Sequence, residues 1–308
     1  MTDTIVAQSE QSIAQGSQSF AAAARLFDRQ TRDDAVMLYA WCRHCDDVID
    51  GQTLGHEQVA DFREGQEARL QTLRQQTEAA LSGASSGDYI FDALRRVVDR
   101  HQIPHRHPQE LLTGFGMDVD DRSYRTIGDT LEYCYHVAGV VGVMMAMIMG
   151  AREPKVLDRA SDLGLAFQLT NIARDVIDDA RVGRVYVPAE ILQRHGIVEI
   201  RADDRSQWPQ VHAAAVDLLD LAEQYYASAY IGMSALPWRS AWAIGAARRV
   251  YRAIGNKLRA GGPAAWEKRV STTKLEKIVL LGLALGDVLV TRFRREDKPR
   301  TGLWQRPL

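Results

Sequence analysis

The segment Leu163–Pro188, LGLAFQLTNIARDVIDDARVGRVYVP, combines apolar residues at helical spacing with polar residues at the same spacing. Gln168, Asn171, Asp175 and Asp179 follow one another at intervals of three, four and four residues. Residues three and four positions apart lie on one face of an α-helix, one turn from the next. The segment therefore predicts a helix with a polar stripe in apolar surroundings, and such a stripe needs polar partners inside the protein.

The same helical period recurs along most of the chain, and no alternating run of β-branched residues continues beyond a few positions. Thr31 is the expected N-cap of a helix that Gly51 closes. Further helices are predicted at about 57–81, 88–101, 108–121, 128–150, 154–182, 208–236, 238–260 and 274–290. The sequence thus predicts an all-α protein, a single helical bundle with no linker long enough to separate two domains.

Composition favours a cytoplasmic globular protein with no nucleic-acid ligand. The 308 residues carry 38 basic and 40 acidic side chains, a net charge of -2, so the charge balance does not indicate a polyanionic partner. Three cysteines cannot form a disulfide framework, which indicates a reducing compartment. Cys42 and Cys45 form one C-x-x-C pair inside a helical pattern, which favours packing over zinc or redox chemistry. The N-terminus lacks signal-peptide features, and the apolar run Val137–Met149 is shorter than the roughly 20 residues of a membrane span.

Two segments place aspartates four residues apart. CRHCDDVIDG contains Asp46 and Asp50, and NIARDVIDDA contains Asp175 and Asp179. Like charges at this spacing destabilise an isolated helix by roughly a few tenths of a kcal/mol, so their repetition indicates a compensating cation. Carboxylates suit Mg²⁺, which keeps several waters and bridges to substrate phosphates. Two solvated helix faces are the competing interpretation, and the apolar residues that precede both pairs weaken it.

Arginines accompany both carboxylate pairs. Arg43 precedes Asp46 by about one helical turn, and Arg174 is next to Asp175. Arg184 follows shortly after the second pair. Guanidinium groups bind phosphate oxygens in a bidentate manner and stay charged. Carboxylates, a divalent cation and arginines together predict a diphosphate site, and Arg184 is equally compatible with a solvated surface position.

Four stretches resemble the squalene and phytoene synthase family: GSQSF at 16–20, LYAWCRHCDDVID at 38–50, YCYHVAGVVG at 133–142, and the segment 163–188 quoted above. Their order and spacing match the family from near residue 10 to about residue 285, and the whole chain is similar to bacterial members of the enterobacterial type. The resemblance implies the class I isoprenoid synthase fold. In that fold, helices pack around a central cavity in which two Asp-x-x-x-Asp motifs face each other.

The resemblance also implies roles for individual residues. It makes Asp46, Asp50, Asp175 and Asp179 catalytic carboxylates and, with Asn171, metal ligands. It places Tyr133 near the ionising diphosphate as a further catalytic residue. The substrate-binding positions that it implies are Ser17, Ser19, Phe20, Ala24, Val36, Tyr39, Arg43, Gln168, Asn171, Arg174, Tyr186, Tyr251 and Arg269.

The implied reaction is the head-to-head condensation of two prenyl diphosphates. Mg²⁺, with Mn²⁺ as an alternative, assists departure of one diphosphate, and the double bond of the second substrate attacks the resulting allylic cation. A second ionisation and rearrangement complete the product, and no NADPH is expected. Water quenches such cations, so the cavity should be closed and apolar. Ala138, Gly139 and Gly142 suit either a cavity wall or close helix packing.

The residues at two positions bear on the length of the product. C30-forming relatives carry aromatic rings where this chain has Ala24 and Val36, so the small residues favour two geranylgeranyl diphosphates and a C40 carotenoid precursor. One alternative is dehydrosqualene or squalene formation from farnesyl diphosphate; an anchored squalene synthase is expected to show a C-terminal span, which this sequence lacks. The other alternative is a non-catalytic assembly factor, which is expected to have lost the four aspartates.

The sequence predicts one synthase domain over residues 1–290 and a basic tail at 291–308. Six basic and two acidic residues between Arg292 and Arg306 give the tail a net +4, with Phe293, Leu303 and Trp304 among them. Basic and aromatic residues favour anionic lipid surfaces, so the tail is expected to dock reversibly on the cytoplasmic face of a membrane. A solvated, disordered terminus is the alternative. The expected partners are two prenyl diphosphates, the membrane surface and other carotenoid-pathway enzymes.

Overall fold

The computed structural model describes residues 3–16, 23–52, 61–84, 87–293 and 299–307, with the backbone alone at 14–16. Regular structure within these ranges is entirely helical, which confirms the predicted all-α class. The α-helices are α1 Thr4–Gly16, α2 Arg29–Asp50, α3 Gln66–Leu81, α4 Tyr89–His101, α5 Arg106–Val119, α6 Ile127–Cys134, α7 Val140–Ile148, α8 Pro154–Arg181, α9 Ala189–Arg194, α10 Trp208–Gly232, α11 Trp238–Gly261 and α12 Lys274–Phe293. A π-helical turn, Tyr135–Gly139, joins α6 to α7 without a break.

The ends of α2 show how local chemistry sets a helix boundary. The N-cap is Asp28 and not Thr31 as predicted, because Asp28 Oδ1 accepts the Thr31 backbone N–H at 3.0 Å. Gly51 closes the helix as predicted: its φ of 59° is left-handed, and its N–H donates to the Asp47 carbonyl. Helix α3 begins at Gln66, later than the predicted residue 57, because residues 61–65 form turns.

Helix α8 lies at the centre of the bundle, where it packs against α7, α10 and α11. A Cβ at Gly164 would lie 2.3 Å from the Ala138 carbonyl oxygen, and one at Gly142 would lie 2.4 Å from the Ala160 carbonyl oxygen. The small residues of YCYHVAGVVG therefore let this helix touch α8 backbone to backbone. Of the two interpretations that the sequence left open for them, the structure places Gly142 in close helix packing.

The continuous helix Ile127–Ile148 has the length and composition of a membrane-crossing helix, with a mean hydropathy of 1.5 over its most apolar window. It is longer than the run Val137–Met149 considered from the sequence, so the prediction that this region is too short to span a membrane was wrong. However, 67% of that window is buried inside the protein, and a core helix of a globular fold has the same composition. Its apolar surface is thus largely covered by neighbouring helices.

Residues 299–307 fold back onto α8. Arg300 Nη2 lies 2.6 Å from Oδ1 of the fully buried Asp162, and Arg306 Nε lies 2.7 Å from Asp158 Oδ1. Trp304 packs on Tyr135 with ring centroids 5.3 Å apart. The hypothesis of a solvated, disordered terminus is therefore wrong for this part of the tail, and two of its six predicted free cations are paired inside the fold.

Candidate active site

The inner face of α2 brings Tyr39, Arg43 and Asp46 together, at intervals of four and three residues. Arg43 Nη1 lies 2.7 Å from Asp46 Oδ2 and 3.6 Å from Asp47 Oδ1, one helical turn on. Tyr39, a turn earlier, interacts with Arg43 as well. Asp46 is desolvated by the surrounding protein, yet 39% of its side-chain area stays accessible. That combination is expected for a side chain that lines an internal cleft.

The second polar stripe lies on α8, as its spacing predicted. Arg174 Nε lies 2.7 Å from Asp175 Oδ1, and Arg269 reaches the same carboxylate with Nη2 at 3.4 Å. Asn171 Nδ2 is 3.4 Å from Gln168 Oε1. The buried Asn171 Oδ1 has no hydrogen-bond donor within the described part of the chain. A buried carbonyl oxygen of this kind is costly unless a bound group satisfies it.

Arg184 connects the two carboxylate pairs. Its Nη2 lies 2.8 Å from Asp50 Oδ1, although the two residues are far apart in sequence. The guanidinium is 13% exposed and lies over the Phe62 ring, 5.4 Å from its centroid. The interpretation of Arg184 as a solvated surface residue is therefore wrong. The loop after α8 instead brings its charge to the first motif.

Asp118, at the end of α5, is a site residue that the sequence analysis missed. The hydroxyls of Tyr133 and Tyr186 donate to its two carboxylate oxygens at 3.1 and 2.8 Å. The two tyrosine rings stack with centroids 4.7 Å apart, and Tyr124 meets Tyr133 edge-on at 5.4 Å. A signal existed in the sequence, because LLTGFGMDV places one aspartate within an apolar helical pattern.

The carboxylates of the site repel one another. Burial raises the pKa of Asp46 to about 7; Arg43 opposes this rise and Asp50 adds to it. Burial raises the pKa of Asp118 to about 6, with opposition from Arg184. Burial and the neighbouring Asp175 raise the pKa of Asp179 to about 8.

Asp118 contributes to the raised pKa of both Asp46 and Asp179. It therefore lies close enough to each pair for their charges to interact, and the two motifs face a common space. A cluster of negative charge with raised pKa values is typical of a functional site, because structural positions seldom keep such repulsion.

The donor set fits a hard divalent cation. Carboxylate oxygens and the unsatisfied Asn171 oxygen are the ligand types that Mg²⁺ prefers, and a cation would relieve the repulsion around Asp118. Among the described residues, no three Asp, Glu, His or Cys side chains come close enough together to hold one ion by themselves.

Aromatic side chains lie beside the α8 stripe. Tyr251 of α11 stacks on Phe167 with centroids 4.1 Å apart, and Arg174 is among the charges that influence the pKa of Tyr251. Trp266 Nε1 donates to the Arg174 carbonyl at 2.9 Å, which fixes the 3₁₀ segment Gly262–Glu267 against α8. Aromatic rings beside charged groups give the cleft an apolar lining next to its polar end.

The remaining predicted substrate-binding residues have a mixed outcome. Ala24 and Val36 are 2% and 4% exposed and belong to the core, so their contact with a substrate tail stays a prediction. Ser17, Ser19 and Phe20 lie outside the described residues. Arg269 is 69% exposed, so it lies at the rim of the site and not in its interior.

An all-α bundle with two facing aspartate pairs and inward arginines is typical of isoprenoid synthases that act on prenyl diphosphates. Residues 13–276 match the family model for squalene/phytoene synthase, and the chain belongs to that family. It is 54% identical to the 15-cis-phytoene synthase of Paracoccus sp., across 100% of this chain and 99% of the relative. It is 48% identical to the enzyme of the same name from Pantoea ananas, across 97% and 96% of the two chains.

A solved structure resembles the whole bundle. A dehydrosqualene synthase in complex with a ligand superposes with a TM-score of 0.78 at 27% identity, covering 93% of this chain and 97% of that chain. The family fold implied by the sequence is thus confirmed by the structure.

Proposed function

We propose that this protein is a phytoene synthase, a prenyltransferase that joins two geranylgeranyl diphosphates head to head in carotenoid biosynthesis. The observation that carries the proposal is the full-length similarity to the Paracoccus 15-cis-phytoene synthase. The composition of the site supports it, because both aspartate pairs and three arginines are present around one space.

The proposed reaction has two ionisations. In the first, the C1–O bond of one substrate breaks, diphosphate departs, and the C2=C3 bond of the other substrate attacks the allylic cation. Loss of a proton gives prephytoene diphosphate, which contains a cyclopropane ring. In the second, the remaining C–O bond breaks, the ring rearranges to join the two C1 carbons, and a second proton is lost. Two C20 diphosphates thus give one C40 hydrocarbon, two diphosphates and two protons, with no reductant.

Three arginines are placed to bind the diphosphates. Arg43, Arg174 and Arg184 each contact an aspartate of the site and are mostly buried. Their guanidinium groups can donate to phosphate oxygens in a bidentate manner while the aspartates turn toward a cation. Asp46, Asp50, Asn171, Asp175 and Asp179 would hold Mg²⁺, or Mn²⁺ as an alternative. The ion supplies Lewis acidity that stabilises negative charge on the departing diphosphate.

Asp118 has a positioning role in this proposal, and it acts through Tyr133 and Tyr186. Both hydroxyls donate to Asp118, which fixes their stacked rings beside the carboxylates. Burial and the neighbouring Asp118 raise the pKa of Tyr133 well above its usual value, so its proton stays in place. A neutral, buried ring can stabilise a passing cation through its π-face without trapping it covalently. The surrounding apolar helices exclude water from the cation.

Product analysis tests the function directly. Purified protein with Mg²⁺ is incubated with C20 or C15 diphosphate, and the extracted hydrocarbon is identified by mass spectrometry. We expect a C40 product from C20 substrate at a rate at least about tenfold above any C30 product from C15 substrate. A dominant C30 product would favour the alternative, dehydrosqualene or squalene synthesis. Absence of any product would favour a non-catalytic assembly factor.

The selectivity for C20 is attributed to Ala24 and Val36. Ala24→Phe adds a ring at a buried position and should shift preference from C20 toward C15 substrate. Overpacking costs roughly 1–3 kcal/mol, so thermal unfolding of the variant must be measured in parallel. Ala79→Phe, at a partly buried position of α3 away from the site, is the control. If the folded Ala24→Phe variant turns over C20 substrate as fast as the parent and gains no activity on C15 substrate, Ala24 does not line the substrate cavity.

We further propose that the protein acts in the cytoplasm, at a membrane surface and near other enzymes of the carotenoid pathway. Substrates with C20 tails and a C40 hydrocarbon product partition into lipid, which supports a membrane-associated site of action. The three cysteines are free thiols, which is compatible with a reducing compartment. Fractionation of expressing cells tests the proposal: we expect the protein in the membrane pellet at low salt and in the supernatant after a high-salt wash.

A further inference from the structure

Helix α12 exposes an apolar face along its whole length. The large apolar side chains exposed on it are Leu275, Ile278, Val279, Leu283, Leu285, Leu289, Val290 and Phe293. Gly282 and Gly286 lie among them, and a Cβ added at either would meet no described atom within 4 Å. At roughly 100° per residue these positions cover half of the helix circumference, whereas Ala284, Val288 and Thr291 on the other half are buried. A contiguous exposed surface of this kind marks an interaction site.

Trp238, at the start of α11, extends the same surface. Its side chain is 53% exposed and stacks on Trp242, with ring centroids 6.1 Å apart. Trp242 Nε1 donates to the Leu281 carbonyl of α12 at 2.9 Å, which holds both indoles beside that helix. Tryptophan is enriched where proteins meet the headgroup level of a bilayer. We call the eight α12 side chains together with Trp238 the α12 face.

The carboxylates of α12 do not weaken an interaction with anions. Glu276 accepts from Lys257 Nζ at 2.7 Å, and Asp287 accepts from Arg249 Nε at 2.6 Å. Both acidic groups are therefore paired with cations of α11, and the Asp287 side chain is also mostly buried. The α12 face itself contains no carboxylate.

Cations lie at one edge of the α12 face. Lys274 and Arg292 are both exposed and stand eighteen residues, roughly five turns, apart, so they project along the same edge. Arg292 donates to the Leu236 carbonyl and Arg239 to the carbonyls of Leu26 and Phe27, which are uncharged acceptors. These three cations border an apolar surface, which is the arrangement that favours anionic lipid.

A second copy packed through antiparallel α12 helices suits the α12 face less well than a lipid surface. In that two-fold dimer, Lys274 of one copy would meet Arg292 of the other, which sets cation against cation at the border of an apolar interface. Lipid phosphates would neutralise the same charges. A two-fold dimer with parallel α12 helices would instead bring the cation edge of one copy to the opposite edge of the other, and the test below includes a dimer among its outcomes.

We propose that the α12 face is the surface by which this protein docks on an anionic lipid bilayer. The proposal deepens the proposed function, because lipid substrates and a hydrocarbon product are its reason for docking. It also moves the centre of the membrane contact from the tail, where the sequence placed it, to α12, and of the tail it keeps Arg292 and Phe293 at the end of that helix. Arg300 and Arg306 of the tail are bound to Asp162 and Asp158, so they are not available to lipid.

Co-sedimentation with vesicles tests the proposal. The full chain is mixed with vesicles of phosphatidylcholine, with and without phosphatidylglycerol, at low and high salt. We expect pelleting with the anionic vesicles that weakens at high salt. Val279→Glu places a charge in the middle of the α12 face and should lower the partition coefficient by about tenfold, the effect of roughly one apolar side chain leaving the lipid. Val279→Gln should lower it in the same direction by less.

The matched control is Val198→Glu, the same substitution at a fully exposed valine far along the chain, which should change pelleting by less than about twofold. Equal pelleting of Val279→Glu and the parent overturns the proposal. So does a parent dimer, seen by sedimentation velocity, that Val279→Glu dissociates without changing vesicle binding. Pelleting requires no turnover: a protein that docks through α12 but forms no C40 product refutes the function alone, and one that forms it without docking refutes the surface alone.

Discussion

Asp118 is the residue whose charge links the two aspartate pairs. It accepts from two tyrosine hydroxyls, and its negative charge acts on Asp46 and Asp179 as well. Without a cation, this position adds repulsion to the folded state. When a cation is bound, the Asp118 carboxylate contributes to the negative field that attracts the metal. The same carboxylate orients Tyr133 and Tyr186 through their hydroxyls.

Asp118→Asn should therefore separate stability from activity. The amide is nearly isosteric and removes a buried negative charge, so the metal-free protein at pH 8 should unfold at a higher temperature than the parent. Turnover should fall by about tenfold or more, because the field at the cation site weakens. Asp120→Asn, two residues on and exposed, is the control and should leave both quantities unchanged. Lower stability together with full turnover would contradict the assigned role.

The aspartate pairs themselves should control turnover and not folding. Asp46→Asn or Asp175→Asn is expected to lower the catalytic rate by at least about a hundredfold, because a lost metal contact at the transition state is worth several kcal/mol and each 1.36 kcal/mol is tenfold. Circular dichroism should show an unchanged helical fold. Asp178→Asn, exposed on the outer side of the same helix, is the control. Full activity of Asp46→Asn or Asp175→Asn would show that the aspartate pair concerned has no catalytic role and is only a solvated helix face.

At the scale of elements, the contact between α8 and the helix Ile127–Ile148 positions one half of the site. Both backbones touch through glycine, so the separation of the two helices is fixed by residues that have no side chain. The π-helical turn Tyr135–Gly139 begins two residues after Tyr133. Turns of this kind occur often at functional positions, because one additional residue in a helix turns the preceding side chain.

Gly164→Ala should disrupt that contact. Its Cβ would lie 2.3 Å from the Ala138 carbonyl oxygen, so the helices must separate, and we expect a loss of about 2–3 kcal/mol in the free energy of unfolding. Gly286→Ala has open space and should gain up to about 1 kcal/mol from helix propensity. Chemical denaturation of the two variants should thus give opposite signs. Two stabilising substitutions would show that the contact between α8 and the turn Tyr135–Gly139 is looser than its geometry indicates.

At the scale of the whole molecule, the raised pKa values predict a pH dependence for the metal-free protein. Asp46, Asp118 and Asp179 have folded pKa values of about 7, 6 and 8, above the ordinary 3.8. Between about pH 4 and pH 8, the folded state therefore binds more protons than the unfolded state. Their contribution to stability is fully present below about pH 4 and is lost as the pH rises toward 8.

Thermal unfolding in EDTA measures this effect. The melting temperature should fall between pH 5 and pH 8, and the fall should be smaller in Asp179→Asn, which lacks the highest of the three pKa values. Burial lowers the pKa of His44, so the contribution of this residue to stability rises with pH. That contribution is the same in parent and variant and cancels in the comparison. Addition of Mg²⁺ at pH 8 should raise the melting temperature of the parent. Identical pH profiles for parent and variant would contradict the prediction.

The docked tail predicts a further property of the whole chain. Arg300→Ala leaves the fully buried Asp162 carboxylate with Ser228 as its remaining side-chain hydrogen-bond donor among the described residues. An uncompensated buried charge costs about 3–5 kcal/mol. Arg252→Ala, which breaks a more exposed pair with Glu223, should cost at most about 1 kcal/mol. Denaturant titration of both variants tests the difference. Similar small losses would show that the tail contributes little to the fold.

The helices, the fold class and the two aspartate pairs of the candidate site could be predicted from the sequence alone. The period of the apolar residues is local, so it specified the helices and the all-α class directly. The i, i+4 spacing of Asp46 with Asp50 and of Asp175 with Asp179 required only helical geometry to place each pair on one face. Gly51 as the end of α2 followed from the left-handed conformation that glycine favours. These features depend on residues that are neighbours along the chain.

Only the tertiary structure decided the features that join distant segments. Arg184 reaches Asp50, and Asp118 receives Tyr133 and Tyr186, because the bundle brings separate helices and loops together. The tail carries basic residues that resemble a solvated lipid-binding terminus, yet Asp162 and Asp158 bind two of them. Helix α12 has an apolar pattern typical of a buried helix, but no described part of the bundle covers one half of it. A sequence pattern specifies which face of a helix is apolar, and only the packing decides whether that face meets the core or the surroundings.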